Sequence, residues 1–142
     1  ITSLDNMATF NKINSFVEAV AEKVHNLGSD QLKIALTNTA HTSSWTKLSD
    51  LTEVSYTNLS TRNLTTTSSA QTSGTYKLVI SDITLTSSGG TTGPFQYIYI
   101  YNDTATNKEL IGYYNYGSSI TLQDTDTLTI DFDGTNGLLQ IA

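Results

Sequence analysis

Four aspartates form the densest group of potential metal ligands in the sequence: Asp124, Asp126, Asp131 and Asp133. The run that begins at Asp131 resembles the start of a calcium-binding EF-hand loop. In such a loop the twelfth position holds a glutamate that binds through both oxygens, and here that position is Ala142. We therefore predict no metal site, and we expect these carboxylates to cap turns or to lie at strand edges.

The two histidines give little support for acid-base catalysis. His25 falls in the last turn of a predicted helix, where the helix dipole favours a cation. His41 lies in a polar segment near Trp45, and no Gly-x-Ser-x-Gly motif supplies a nucleophilic serine. The sequence predicts a capping role for His25 and no catalytic role for either histidine.

Other patterns that carry chemistry are also missing from the sequence. The acidic residues that could act in pairs follow no pattern typical of glycoside hydrolysis: Asp50, Glu53, Asp82 and Glu109. The glycine pair Gly89-Gly90 is not followed by a predicted helix, so it does not match a phosphate-binding loop. We predict that the protein is not an enzyme and that it has neither catalytic residues nor a cofactor.

The composition limits the classes of molecule that we expect this protein to bind. The formal net charge is -6, and the 7 basic residues are scattered, whereas binding to nucleic acid needs clustered Lys and Arg. There are no cysteines, and no segment approaches the roughly 18 apolar residues of a membrane span. We expect neither a nucleic acid nor a membrane as a partner.

The clearest periodic signal lies near the start of the chain. Apolar residues recur there at the spacing of one helical face: Phe10, Ile13, Phe16, Val17, Val20, Ala21, Val24 and Leu27. Gly28 follows as a natural helix terminator, so the pattern predicts an amphipathic helix over residues 9–27. Its apolar face either packs on its own domain or docks on a neighbour. Residues 1–8 are expected to form a loosely held extension, with Met7 resembling a translation start.

After Gly28 the period of the apolar residues changes from helical spacing to alternation, which is typical of strands. The predicted strands cover residues 32–36, 48–55, 64–70, 75–81, 83–87, 95–102, 109–116, 119–123, 126–133 and 138–141. Many short strands with turn residues between them are typical of a sandwich or barrel. We predict a single mainly β domain over residues 9–142, an antiparallel β-sandwich or barrel of jelly-roll or immunoglobulin-like type, with one N-terminal helix.

A tyrosine stripe is the most distinctive feature of the predicted strands. Tyr97, Tyr99 and Tyr101 share one face of a strand whose other face carries Ile98 and Ile100. We expect the isoleucines in the core and the tyrosines facing outward or toward a second layer, where they either bind a partner or stabilise the sheet. Together with the helix, this stripe and its partner strand supply the candidate protein-contact residues: Phe10, Ile13, Phe16, Val17, Val20, Tyr97, Tyr99, Tyr101, Tyr114 and Tyr116.

Several stretches resemble the small structural proteins of tailed bacteriophages. They are Phe10-Asn11-Lys12-Ile13-Asn14-Ser15-Phe16-Val17-Glu18, His25-Asn26-Leu27-Gly28-Ser29-Asp30, Leu32-Lys33-Ile34-Ala35-Leu36-Thr37-Asn38-Thr39-Ala40, Tyr101-Asn102-Asp103-Thr104-Ala105, Leu110-Ile111-Gly112-Tyr113-Tyr114 and Tyr116-Gly117-Ser118-Ser119. The resemblance implies a virion part without catalytic residues, such as a decoration (cement) protein on the outside of the shell formed by the major capsid protein. It also implies a homo-oligomer, trimer or dimer, with the helix or the extension as a binding arm.

Two alternatives to a capsid decoration protein are kept open by the sequence. The same domain could belong to the tail, the neck or a fibre and contact other virion proteins there. It could also be a carbohydrate-binding β-sandwich module, with Tyr97, Tyr99, Tyr101 and Trp45 stacking on a glycan.

Overall fold

Antiparallel sheets packed against one another make up most of the structure, a computed structural model that describes residues 2–4 and 8–142. One short helix lies near the N-terminus. The predicted mainly β fold with antiparallel sheets is confirmed, and it is consistent with a β-sandwich. In the described residues the elements are β1 (Thr2–Leu4), β2 (Asn11–Lys12), α1 (Phe16–Ala21), β3 (Leu32–Thr37), β4 (Thr66–Thr72), β5 (Thr75–Ile80), β6 (Ile83–Thr86), β7 (Thr92–Asn102), β8 (Leu110–Leu122), β9 (Thr127–Ile130) and β10 (Leu139–Ile141).

The strands of the described chain form three sheets, with the orders β2-β8-β7-β3, β10-β5-β4 and β1-β9-β6. The long hairpin of β7 and β8 supplies the centre of the four-stranded sheet, as its alternating pattern predicts. The strand predicted over residues 48–55 is wrong, because this segment holds a short 3₁₀ helix, Leu48–Asp50, followed by a single β-bridge between Glu53 and Thr37. The two strands predicted over 109–116 and 119–123 are one continuous strand, since Gly117 adopts a positive φ without ending β8.

Strand β7 is buried on both of its faces, and this determines what packs around it. Ile98 and Ile100 lie in the main core, as predicted. Tyr99 and Tyr101 alternate with them and belong to a second buried cluster on the opposite side of the sheet. Both sides of the central sheet therefore need a cover of apolar side chains.

The cover over the tyrosine side is the segment between β3 and β4, residues 38–65, which we call the crossing loop. The N–H of Leu110 donates to the carbonyl of Thr46 (3.0 Å) at one side of the sheet. The N–H of Val54 donates to the carbonyl of Leu36 (3.0 Å) at the other. Within this loop Leu51 is buried and Trp45 is half-buried, and both belong to the apolar cluster that contains Tyr99 and Tyr101. A polar segment with a few spaced apolar residues thus acts as a second layer.

The helix predicted over residues 9–27 is much shorter, since α1 spans only Phe16–Ala21. Before it, Asn11 and Lys12 pair as β2 with the edge of β8, which satisfies backbone groups that a helix would otherwise use. After it, Lys23 takes a left-handed conformation with φ of 67° and stops the helix. No helix in the described residues is long and apolar enough to cross a membrane.

The chain before residue 9 also differs from the expected loose extension. Thr2–Leu4 pairs in parallel with Leu128, Thr129 and Ile130 of β9. Backbone pairing to the free edge of β9 satisfies hydrogen-bonding groups on both strands, which gives this segment a fixed place. Met7, suggested as a translation start, lies outside the described residues, and Ala8 packs on the main core.

Replacing Gly112 tests how the short strand β2 is held against β8. A methyl group on Gly112 would run into the Phe10 ring, which packs 5.3 Å from the Tyr114 ring, measured between centroids. Gly112→Ala is expected to lower the free energy of unfolding by about 1–3 kcal/mol, the usual cost of overpacking. Chemical denaturation monitored by circular dichroism measures this change.

Gly134→Ala is the matched control, because nothing lies within 4 Å of a methyl group built there. We expect it to change the unfolding free energy by no more than about 0.5 kcal/mol. Equal effects of the two substitutions would show that Gly112 is not required by the packing of Phe10.

Candidate functional site

The predicted helical contact residues are mostly buried in the protein's own core. Ile13 is 1% exposed and Phe16 is 2% exposed, and Phe10 packs half-buried on the main core. Val17 is 55% exposed and Val20 is half-buried. Of this set, Val17 keeps the most surface that a partner could contact, and Phe10 and Val20 keep a smaller part.

The tyrosine stripe does not form an exposed surface. Tyr99, Tyr101 and Tyr114 are at most 6% exposed, so the prediction that they contact a partner is wrong. The crossing loop seals Tyr99 and Tyr101, whereas Tyr114 pairs with Ile98 and faces the main core. Tyr97 and Tyr116 remain half-buried. The glycan platform predicted from four aromatic residues loses two of them to burial.

His41, a residue of the crossing loop, packs against the tyrosines of the sheet below it. Its Nδ1 lies 2.8 Å from the Tyr99 hydroxyl, its ring stacks on Tyr113 at 4.4 Å, and the Trp45 ring meets its edge at 5.7 Å. Burial lowers the pKa of His41 and raises that of Tyr99 above its usual range. Both side chains are neutral near pH 7, and the imidazole packs as part of the loop layer that covers Tyr99 on the sheet.

A groove with a volume of about 830 Å³ opens at another part of the surface, and we call it the His25 groove. Three segments line it: residues 20–30 around the end of α1, the turn at residues 104–109 between β7 and β8, and one face of the β10-β5-β4 sheet. On that sheet face Tyr76 pairs with Ile141 and with Gln71. The sequence pattern does not predict this groove, because residues far apart in the chain form it.

The groove exists because the β10-β5-β4 sheet extends beyond the residues that pack on its face. Leu78 on β5 is fully buried, whereas Tyr76, two residues earlier on the same face, is half-buried, and Ile141 opposite it is 38% exposed. Ser69 on β4 shares this face and also lines the groove. Apolar side chains at this end of the sheet are therefore only partly covered.

The most exposed large hydrophobic side chains in the described residues lie on or near this groove. They are Val17, at 55% exposure, and Ile141, at 38%. Ile141 lines the groove, and Val17 lies three residues before Val20, another lining residue, on the same side of α1. Contiguous exposed apolar surface marks sites of protein contact more often than single exposed residues do.

A network of polar side chains closes the inner wall of the groove. The Asn102 side-chain oxygen accepts hydrogen bonds from the N–H groups of Thr104 (3.0 Å) and Ala105 (3.2 Å). Its amide nitrogen therefore points to the Asp30 carboxylate, 2.6 Å away, and to Nδ1 of His25, 3.0 Å away. Because that nitrogen is a donor, Nδ1 must accept, and the proton of neutral His25 lies on Nε2.

The Nε2–H of His25 then has no acceptor in the described residues, although the side chain is only 8% exposed. A buried donor without a partner is rare and costly. Burial lowers the pKa of His25, while the nearby Glu109 and Asp30 carboxylates act in the opposite direction. The predicted role of His25 as a cationic helix cap is wrong, because α1 ends at Ala21 and the imidazole is buried and neutral.

The acidic residues near the C-terminal end cap turns, as predicted. Asp124 accepts the N–H of Gly89 at 2.9 Å, Asp126 that of Gln123 at 2.9 Å, and Asp133 those of Thr135 and Asn136. Within residues 2–4 and 8–142 no group of three or more His, Cys, Asp or Glu side chains could hold a metal ion. Comparison with protein-family models, with curated proteins and with solved structures found no match to this chain.

The buried histidines predict how stability depends on pH. The pKa values of His25 and His41 in the folded protein are below the ordinary value of 6.5, so the unfolded chain binds protons more readily. The contribution of the histidines to the free energy of unfolding should therefore be constant from about pH 7 to the range where tyrosines titrate, and it should fall as the pH drops below about 6.5. Asp50, Asp103 and Asp133, whose pKa values lie below 3.8, contribute only at more acidic pH.

His25→Asn separates the share of His25 from that of His41. Asparagine keeps an acceptor for Asn102 but does not titrate, so the decline between about pH 7 and 5 should become shallower. Urea denaturation at a series of pH values measures how steeply the free energy of unfolding declines, and His41→Asn is studied in parallel. An unchanged slope in His25→Asn would mean that the pKa of His25 is not lowered by folding.

Proposed function

We propose that this chain is a non-enzymatic structural protein of a tailed-bacteriophage virion, a decoration protein that binds the outside of the shell formed by the major capsid protein. The sequence resemblance described above supports this class. The carrying observation is the His25 groove, whose lining includes Val20 and Ile141 and whose neighbour Val17 is 55% exposed. An apolar concave surface on an otherwise polar body is suited to docking on another protein.

The groove replaces the helix as the proposed contact surface. Ile13 and Phe16 are buried in the protein's own cores, so the segment around α1 is part of the body and not a free arm. Only Val17 and Val20 of that segment extend the apolar rim. The docking surface in this proposal is therefore carried by a rigid sheet end, and it needs little ordering when a partner binds.

Many copies on a closed shell would make weak individual contacts sufficient. If the protein is a dimer or trimer, as we propose, each oligomer engages the shell through several grooves, and the effective concentration after the first contact is high. A moderate affinity per groove is then compatible with stable decoration.

Imaging of intact virions tests the proposed location. We expect this chain in high copy number, arranged with the symmetry of the outer capsid surface. A small number of copies at one vertex or along the tail would contradict the capsid location and indicate a neck, tail or fibre protein. Absence from purified virions would overturn the proposal that the chain is a structural protein of the particle.

Val17→Asp tests the apolar rim directly. The substitution places a charge on a side chain that is 55% exposed, so the melting temperature should not change. Binding of the purified protein to virions that lack it should weaken by at least about tenfold, because a carboxylate would be desolvated in the contact. Ser68→Asp, at an exposed position on the opposite face of β4 from the groove residue Ser69, adds the same charge and should bind normally. Equal binding of both variants would contradict the role of the rim.

A further inference from the structure

The size and lining of the His25 groove define what can enter it. Its volume of about 830 Å³ is in the upper part of the usual range for ligand sites, roughly 300 to 1,000 Å³. The apolar part of the lining consists of Val20, Val24, Leu27, Tyr76 and Ile141. This surface favours an aliphatic or aromatic side chain placed between the end of α1 and the β10-β5-β4 sheet.

His25 contributes a buried imidazole to the wall of the groove. Nε2 of His25 carries a proton because Nδ1 accepts from Asn102, and no acceptor in the described residues meets it. That nitrogen is itself buried, so an occupant of the groove packs against the wall that His25 contributes and does not reach this donor.

The charges of the lining favour a basic residue in that segment. Asp30 and Glu109 contribute two carboxylates to the groove, against one ammonium group from Lys23. Glu109 accepts the N–H of Asn107 at 3.1 Å and makes no salt bridge among the described residues. The whole chain is also acidic, with a net charge of -6, which favours approach of a basic partner.

We propose that the His25 groove binds a segment of the partner protein that carries an apolar side chain next to a Lys or Arg. The apolar side chain packs against Val24 and Tyr76, and the basic side chain pairs with Glu109. The identity of the partner as a capsid protein rests on the proposed function, whereas the chemistry of the segment rests on the groove itself.

Peptide titration of the full chain tests the chemistry of the groove without any virion. The probes are a short acetylated peptide of alternating Leu and Lys, the same peptide with Glu in place of Lys, and one with Ser in place of Leu. Each is titrated into protein labelled with ¹⁵N at histidine, and the imidazole signals of His25 are followed by NMR. We expect the Leu-Lys peptide to shift these signals and to bind at least about tenfold more tightly than the other two.

Two bulky substitutions fill the groove from opposite walls, and a third substitution outside the groove is their control. Ser69→Trp and Thr106→Trp replace exposed lining residues, whereas Ala70→Trp places the same side chain on the opposite face of β4. Both groove variants should lose the peptide response and bind virions at least about tenfold more weakly, while Ala70→Trp should behave as the wild type. Melting temperatures confirm that each variant is folded, and the second groove variant serves if the first is not.

The outcomes separate the two proposals. If no peptide shifts the His25 signals, or if both groove variants bind virions like the wild type, the groove proposal is overturned while decoration stands. If the wild type binds the Leu-Lys peptide but no virion component, the groove proposal stands and the virion function is overturned. Tighter binding of the Leu-Glu peptide would overturn the proposed basic partner.

Discussion

Burial of strand β7 on both faces is the constraint on which the rest of the structure depends. A strand whose isoleucines and tyrosines are both removed from water needs apolar cover on both sides of its sheet. On one side the other sheets supply it, and on the other side the crossing loop does so with Trp45, Leu48 and Leu51. The loop is polar overall, yet its backbone is bonded to the strands at both margins, so it acts as a layer of the fold.

The His25 groove follows from unequal cover on the isoleucine side. The β10-β5-β4 sheet continues past Leu78 to Tyr76 and Ile141. The segment that faces it changes direction at Lys23, just after α1 ends. The Asp30-Asn102-His25 network holds that turning chain against the β7–β8 turn, and it leaves one imidazole N–H without an acceptor. Apolar surface and the Glu109 carboxylate, which makes no salt bridge among the described residues, meet in the same groove, which is why it is the strongest candidate for a contact site.

Most strands could be predicted from the alternation of apolar residues, since period two directly reflects a half-buried sheet face. The predicted helix is too long because Phe10, Ile13 and Leu27 have helical spacing, yet they reach the cores from irregular segments next to β2 and after α1. The burial of Tyr99 and Tyr101 could not be predicted for a related reason. Alternation shows that a strand has two different faces, but it does not show whether a distant loop covers the second face. The groove could not be predicted, because His25, Asn102 and Tyr76 are brought together only by tertiary packing.

The central claim is that this protein engages its partner through the His25 groove, and hydrogen exchange measures this most directly. The exchange of backbone amides is compared by mass spectrometry between the free protein and the protein bound to particles. The account predicts added protection at residues 22–30 and 104–109, which line the groove, with little change in the crossing loop. Added protection confined to the crossing loop around Trp45, with none at the groove, would contradict it.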